Sequence, residues 1–375
     1  MESPKSHRRA FLTGRAAADA LAGVLNRIGG AAPELPPAVS RPRPTQLMRV
    51  SRRAMACDFE MLFNAARLRH GTPMAVGALD LVDELEDQLS VYRDTSEVSR
   101  LNQTAHQGPV TVEAGMFDLI ELSLRLHHET QGAFDITSGP LSKAWGFSRR
   151  AGGIPRPEDL AAALDCVGSQ HVRIDREQLT VEFLRPGVEL NFGAIGKGYA
   201  LDRVAQHLAA RDIGEFLFHG GRSSVLGRGA LDQIGTPAVD VPWTVGIGDP
   251  IRPGKRLGQL VLRDRGLSTS GSGTQFFRHE GKRYGHILDP RTGQPVQGML
   301  SVTVTAPTAA VADALSTAFY VLGIEGSRRY CEEHPEIGAV LVHQGQDGPP
   351  KVEVLGIADD EILVAQGGEL GDTDS

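Results

Sequence analysis

The sequence is poor in the features that mark several protein classes. Its three cysteines, Cys57, Cys166 and Cys331, are odd in number, far apart and in no Cys-x-x-Cys spacing. That argues against a disulfide framework or a zinc site, and all three read as small buried hydrophobes. No apolar run reaches the roughly 18 residues of an ordinary membrane span. An excess of positive charge is also lacking: the formal net charge is −7 and the pI about 6.0. This argues against an extended nucleic-acid surface while leaving a local basic patch open. No zinc-finger, RNP or basic-zipper pattern appears, and the body holds no internal repeat or low-complexity tract.

What is present is an ordinary globular composition, 375 residues with 41% hydrophobic and 23% charged, enough for one large domain or two. Near the N-terminus, Arg8-Arg9-Ala10-Phe11-Leu12-Thr13 has a twin-arginine look. The alanine-rich segment from Ala16 to Leu25 that follows carries Asp19 and is flanked by Arg15 and Arg27, whereas the apolar region of a signal should be uncharged. Two readings stay open: export to a bacterial periplasm, and a cytoplasmic protein with a basic amphipathic tail. No cysteine sits where a lipoprotein anchor needs one. Five prolines within residues 30–46 deny regular hydrogen bonding. Residues 1–46 therefore read as a flexible tail, 47–362 as the folded body, and 363–375 as an acidic, glycine-rich C-terminal tail.

Within the body, Met74–Leu89, Phe117–Leu126, Gly198–Ala209 and the strongly apolar Ala309–Leu322 carry helical spacing. Strands are expected at Phe59–Phe63, Thr180–Phe183, Trp243–Ile247, Leu257–Leu262, Leu300–Thr305 and Ala339–His343. The glycines and short polar turns between them suit antiparallel pairing. The expected class is α+β, with helices packed on mostly antiparallel sheets.

Four groups of residues can carry chemistry. In Leu190–Asp202 a strand-like piece enters a turn with glycines 193, 196 and 198, and a helix follows. Glycines let backbone approach a ligand, a helix start offers free N–H groups to phosphate, and Lys197 adds a cation. The spacing is neither Walker A nor Rossmann, and a glycine-rich turn without ligand is the alternative. Leu267-Ser268-Thr269-Ser270-Gly271-Ser272-Gly273 reads as an anion-binding loop. His286 beyond it is a candidate proton acceptor, and Asp289–Gly293 reads as a tight turn. Asp313 and Thr317, four apart on an apolar helix, share one face. A carboxylate there is costly unless paired or bound to a cation, and one Asp with one Thr suits Mg²⁺; a bond to a neighbouring loop backbone is the alternative. Lastly, Tyr92 could stack on a flat ring, and Asp135 in Gly132–Leu141 could bond a ribose or ring nitrogen, against plain packing or turn capping.

Taken in order, these motifs resemble the FAD:protein FMN transferases, the ApbE family. The resemblance runs from Met55 to about Gly323 and rests on Met55-Ala56-Cys57, Leu89–Tyr92, Ser96–Asn102, Gly132–Phe147, Asn191–Asp202, Trp243–Gly246, Thr269–Gly271, His286–Pro295 and Ser301–Thr317. It implies a T-fold-like α+β architecture holding one FAD as substrate, with Mg²⁺. It also implies nucleotide or flavin contacts at Met55, Tyr92, Ala133, Phe134, Asp135, Asn191, Lys197, Ser270 and His286. The metal ligands map onto the Ala194 carbonyl and the side chains of Asp313 and Thr317, and the catalytic roles onto His286 and Asp313. Two positions depart from the family pattern: Asn191 stands where an Asp is usual, and Gly220-Gly221-Arg222-Ser223 where Gly-Gly-Asp is usual.

The reaction this implies is transfer of FMN from FAD to a Ser or Thr hydroxyl of an acceptor flavoprotein, with release of AMP. The expected acceptors are redox-pump subunits or flavin reductases bearing a short Ser/Thr motif; no nucleic-acid partner and no integral membrane span are expected. Two other readings use the same residues. One is an FAD pyrophosphatase with water as acceptor. The other, motivated by Asn191 and Arg222, is a flavin-binding protein without turnover.

Overall fold

The computed structural model describes residues 47–65, 71–232, 240–271, 273, 275–345 and 349–364. The twin-arginine segment, the proline-rich stretch, Ser272 and the C-terminal tail beyond Val364 lie outside the described residues.

One antiparallel sheet organises the chain. Its strands are β1 (Leu47–Ala54), β2 (Cys57–Asn64), β3 (Phe216–Gly220), β4 (Ser224–Arg228), β5 (Gly266–Gly271), β6 (Met299–Ala306), β7 (Gly338–His343) and β8 (Lys351–Leu355). They lie side by side in chain order, each antiparallel to the next. The helices are α1 (Gly71–Leu89), α2 (Glu97–Thr104), α3 (Ala114–Glu129), α4 (Gly139–Ala144), α5 (Pro157–Leu164), α6 (Gly196–Ala209) and α7 (Ala309–Glu333). All but α7 are inserted between β2 and β3. The class is α+β, as the sequence implied.

The sheet is buried on both faces, and the two-residue period of its strands sorts side chains between them. Leu226, Val302, Val304, Ala306 and Leu341 join the helices in the main core. Val225, Leu267 and Val340 point the other way, into a second cluster with Trp243, Ile247, Leu260 and Leu262. That cluster is closed by a small sheet of Trp243–Gly248, Arg256–Leu262 and Ile362–Val364. The last of these strands carries regular structure to Val364, two residues into the stretch expected as tail.

The expected helices and strands are all present, most a residue or more longer than expected. In α1 the buried set Ala75, Ala78, Leu79, Val82, Leu85 and Leu89 follows a helical stripe, while Val76 is exposed. Helix α7 runs past its expected end at Leu322. Gly323 leaves the helical region at φ 70, and the Ser327 hydroxyl donates to the Gly323 carbonyl at 2.6 Å as the helix resumes. Helix α7 is also long and apolar enough to cross a membrane, yet Ala314, Phe319 and Tyr320 are buried in the body's core. One expectation fails. The segment read as an anion-binding loop is strand β5 from Gly266 to Gly271, paired with β4 on one side and β6 on the other. Its Ser and Gly residues serve close packing under a helix.

Candidate functional site

Every second residue of β5 lies beneath α7, and each is small for a reason. At Gly266 a Cβ would fall 2.5 Å from the Ala309 backbone, so α7 can start here only over a glycine. One step on, the Ser268 hydroxyl donates to Asp313 Oδ1 at 2.7 Å. The next, Ser270, has its hydroxyl 2.8 Å from Ser316 Oγ and 3.0 Å from Thr317 Oγ1. Strand spacing and helical turn thus stay roughly in step over three contacts.

Asp313, 4% exposed, gathers donors from three further directions. The Ser224 hydroxyl of β4 donates to Oδ1 at 3.0 Å, the Gly198 N–H of α6 donates to Oδ2 at 3.1 Å, and Lys197 Nζ stands 3.7 Å from Oδ1. A buried carboxylate is tolerated only with such partners. The crossing of α6 over α7 is itself a glycine contact, since a Cβ on Gly198 would sit 2.1 Å from the Ala309 carbonyl oxygen. Asp202, four residues and about one turn on from Gly198 in the same stripe of α6, accepts from the Ala309 and Ala310 N–H groups at 2.9 and 2.8 Å. It thereby holds the start of α7 against α6. Burial pushes its carboxyl up to about 6, opposed by those two hydrogen bonds. Asp202 was quoted in the sequence motif without a role; an acid in the middle of the apolar face of α6 was the available signal.

These residues also fit a small hard cation. The donors are all oxygens: the Asp313 carboxylate, the Thr317 hydroxyl one turn further on, and the Ala194 carbonyl two residues before α6. Asp313 Oδ2 carries one hydrogen bond in the structure and so keeps a lone pair. Mg²⁺ needs only one or two protein carboxylates and fills its shell with phosphate and water. Among the described residues no group of three or more His, Cys, Asp or Glu forms a side-chain metal cluster; a cation here rests on this mixed set.

His286 is half-buried just after the hairpin of strands Phe276–His279 and Lys282–Gly285. Its own N–H lies 3.2 Å, and its Nδ1 3.1 Å, from the Gln275 carbonyl. A carbonyl only accepts, so Nδ1 carries the proton and Nε2 keeps its lone pair. Burial, then the nearby Lys197 charge, push the imidazole below its ordinary range, against the Gln275 bond that raises it. The same Lys197 charge reaches Cys57, whose thiol burial pushes up. Lys197 is therefore the shared neighbour of Asp313, His286 and the start of β2. Cys57 and Cys166 are half-buried and Cys331 is buried, all as free thiols.

The remaining expected contacts fall into two sets. Tyr92, 73% exposed, and Asn191 line one cleft of about 340 Å³ together with Ser99, Lys143, Arg149 and Glu189. Asn191 Oδ1 accepts from the Gly193 N–H at 2.8 Å, which shapes the turn leading to Ala194. Ala133 and Phe134, in contrast, are buried in the fold at 1% and 2%. Of the two roles open to Asp135, the structure displays the capping one: Oδ1 accepts from Thr137 N–H at 2.8 Å and its hydroxyl at 2.6 Å, and Oδ2 is 3.1 Å from His127. Met55 and Ala56 form the two-residue turn between β1 and β2, both with positive φ, 47 and 59. Arg222 is an exposed turn residue at φ 64 between β3 and β4.

Comparison with known proteins points one way. The model of the ApbE family matches residues 55–341. Among curated proteins, an FAD:protein FMN transferase of Klebsiella pneumoniae is 32% identical over 281 residues, covering 74% of this chain and 84% of its own. Another, of Salmonella typhimurium, is 35% identical over 265 residues, 69% of this chain and 73% of its own. Among solved structures, the flavin transferase ApbE of Vibrio cholerae superposes with a TM-score of 0.73 at 28% identity, over 83% of this chain and 98% of that one. The apo form of the Pseudomonas stutzeri flavinyl transferase ApbE gives 0.72 at 27% identity, over 83% and 95%.

Proposed function

The chain belongs to the ApbE family and is a transferase, and we propose that it moves the FMN half of FAD onto a Ser or Thr hydroxyl of an acceptor flavoprotein, releasing AMP, with Mg²⁺ as cofactor. The observation that carries this reading is the Asp313 node. A buried carboxylate, a hydroxyl one turn away, a lysine at 3.7 Å and the start of a helix meet at one point.

In this reading Asp313, Thr317 and the Ala194 carbonyl would hold Mg²⁺, whose charge, when bound, would offset the negative charge of the diphosphate. Lys197 would supply the cation facing the same phosphates, because the Gly196 and Gly198 N–H groups at the start of α6 already donate to the Phe192 carbonyl and to Asp313. The acceptor hydroxyl attacks the FMN phosphorus; the new O–P bond forms as the bond to the AMP phosphate oxygen breaks, and AMP leaves with the electron pair. His286 Nε2, held unprotonated by its Nδ1 bond and its surroundings, takes the hydroxyl proton. A base so placed is worth roughly 10²–10⁴ in rate. Tyr92 and Asn191 line the cleft proposed for the flavin or adenosine portion.

The test is AMP release from FAD with and without Mg²⁺, together with the mass of a candidate acceptor. Asp313→Asn should lower Mg²⁺-dependent AMP release by at least about 100-fold, the upper end of what losing a supporting contact to a metal ligand costs. Equal release from Asp313→Asn would sink the assignment. Release of free FMN with no gain of acceptor mass would favour the hydrolase reading.

A further inference from the structure

Between β5 and β6 the chain makes a separate two-stranded hairpin, Phe276–His279 against Lys282–Gly285. It belongs to neither the main sheet nor the small one. Its inner face is aromatic and anchored. Phe277 and Tyr284 stack at 5.2 Å, and Trp145 and Phe147 pack against them. The opposite face shows Phe276, 43% exposed, with the Arg283 guanidinium 3.9 Å over its ring.

The charge on this hairpin is lopsided. In a chain of net charge −7, residues 276–285 carry Arg278, His279, Lys282 and Arg283 against the single acid Glu280. The register makes it worse: Arg278 lies directly opposite Arg283, and His279 opposite Lys282. Like charges placed opposite each other destabilise a ribbon. Lys282 and Arg283 rest over the Tyr284 and Phe276 rings, which holds these side chains in place without neutralising their charge, so the surplus suits a surface that receives anionic groups. Among the described residues each strand pairs only with the other, which leaves backbone groups along its outer edge, apart from the Arg283 carbonyl, which accepts from Gln297.

The hairpin is tied to the reacting end of the molecule. Gln275, the residue entering it, accepts from both His286 N–H groups, and its own side chain donates to the Phe147 carbonyl at 2.8 Å. A polypeptide laid along this ribbon would run toward His286.

From this we propose that the hairpin 276–285 is the docking element for the acceptor protein, taking an extended, acidic segment by edge pairing and by its cations, and delivering the segment's hydroxyl to His286. This rests on the transferase reading above. The mode is strand addition, in which main-chain bonds give affinity and side chains give selectivity. Charge complementarity adds selectivity and speeds the encounter.

The probe is a fluorescent Thr-containing peptide flanked by Asp and Glu, with a Lys-flanked counterpart as control, titrated onto the full chain. The variant is the double reversal Arg278→Glu with Lys282→Glu. Both changes turn like-charge cross-strand pairs into opposite-charge pairs, so the hairpin itself should fold at least as well. The acidic peptide should bind wild type and lose at least about tenfold in the variant. The basic peptide should show the reverse preference, and both differences should fade at high salt. Phe276→Ser should weaken binding at any salt. AMP release from FAD without peptide should match between wild type and the double variant. Equal binding of the acidic peptide to both proteins overturns the proposal. So does a selective loss of AMP release in the double variant, or capture of wild type by phosphatidylserine vesicles without peptide binding. Absence of AMP release in wild type counts against the transferase reading instead, and the binding arms still decide the docking surface.

Discussion

Replacing Gly198 by alanine sets two effects of opposite sign against each other. Helix propensity alone favours the change by up to about 1 kcal/mol, since glycine is the costlier residue in a helix. The structure says the reverse. The new methyl would lie 2.1 Å from the Ala309 carbonyl oxygen and 2.7 Å from the Ala310 nitrogen. Restoring normal contact needs a shift on the order of 1 Å between α6 and α7, and forced repacking of that kind costs about 1–3 kcal/mol. The shift also stretches the 3.1 Å bond from Gly198 N–H to Asp313, and a hydrogen bond to a charged group is worth about 1.5–3 kcal/mol. Net destabilisation of roughly 2–4 kcal/mol is the result, or a fall in melting temperature of about 4–8 °C for a body of this size. Thermal unfolding checks the stability arm, and AMP release across a Mg²⁺ titration checks the site: the variant should need more Mg²⁺ for half-maximal rate. A variant as stable as wild type or more so, with an unchanged Mg²⁺ requirement, would refute the close crossing and the coupling of α6 to the site.

Three further outcomes are expected. Lys197→Met removes a cation that holds the His286 imidazolium down, so the acid limb of kcat/KM, which lies below the ordinary histidine range, should move to higher pH; an unmoved limb would detach Lys197 from His286. Asp202 binds its proton more tightly when folded, about 6 against 3.8, so its contribution to stability is fully present below the unfolded value and is lost as pH rises through about 6. The gap corresponds to about 3 kcal/mol. Asp202→Asn should remove that slope, so the stability of wild type relative to the variant, read from denaturant midpoints, should increase as pH falls from neutral toward 4; a constant difference would show that the group does not titrate as described. Ala56 sits at φ 59 in a two-residue turn that prefers glycine, and Ala56→Gly should raise stability by about 1 kcal/mol in denaturant unfolding, whereas a loss would mean the turn carries no strain.

How much of this was legible in the sequence depends on where each signal is stored. Helices such as α1 announce themselves because their buried residues recur every three or four positions within one segment. That Asp313 and Thr317 share one face of α7 was visible for the same reason. Strand β5 was misread because Gly-Leu-Ser-Thr-Ser-Gly has the composition of a loop. Its strand character comes from β4 and β6 on either side, and its small residues from α7 above, none of which is local in sequence. Asp202 was passed over for a related reason: its partners, the first N–H groups of α7, are more than a hundred residues away. Contacts between distant segments leave only indirect marks, a glycine where nothing else fits or an acid on an apolar face.

The two departures from the family pattern bear differently on the site. Asn191 uses its Oδ1 to accept the Gly193 N–H, a task an aspartate oxygen performs equally well. The turn that presents Ala194 and starts α6 is therefore preserved. What changes is the other atom, from a carboxylate oxygen to an N–H₂ donor on the wall of the cleft. The Nδ2 group can only donate to a ligand atom met there, and the cleft wall lacks the negative charge an aspartate would bring. Arg222 is exposed at a turn, and its charge lowers His219, which burial already lowers. None of the donors to Asp313, namely Ser224, Ser268, Gly198 and Lys197, is touched by either change. Asn191 therefore changes the chemistry of the cleft wall while keeping the turn before α6, and Arg222 changes the charge of an exposed turn while leaving the hydrogen bonds around Asp313 in place.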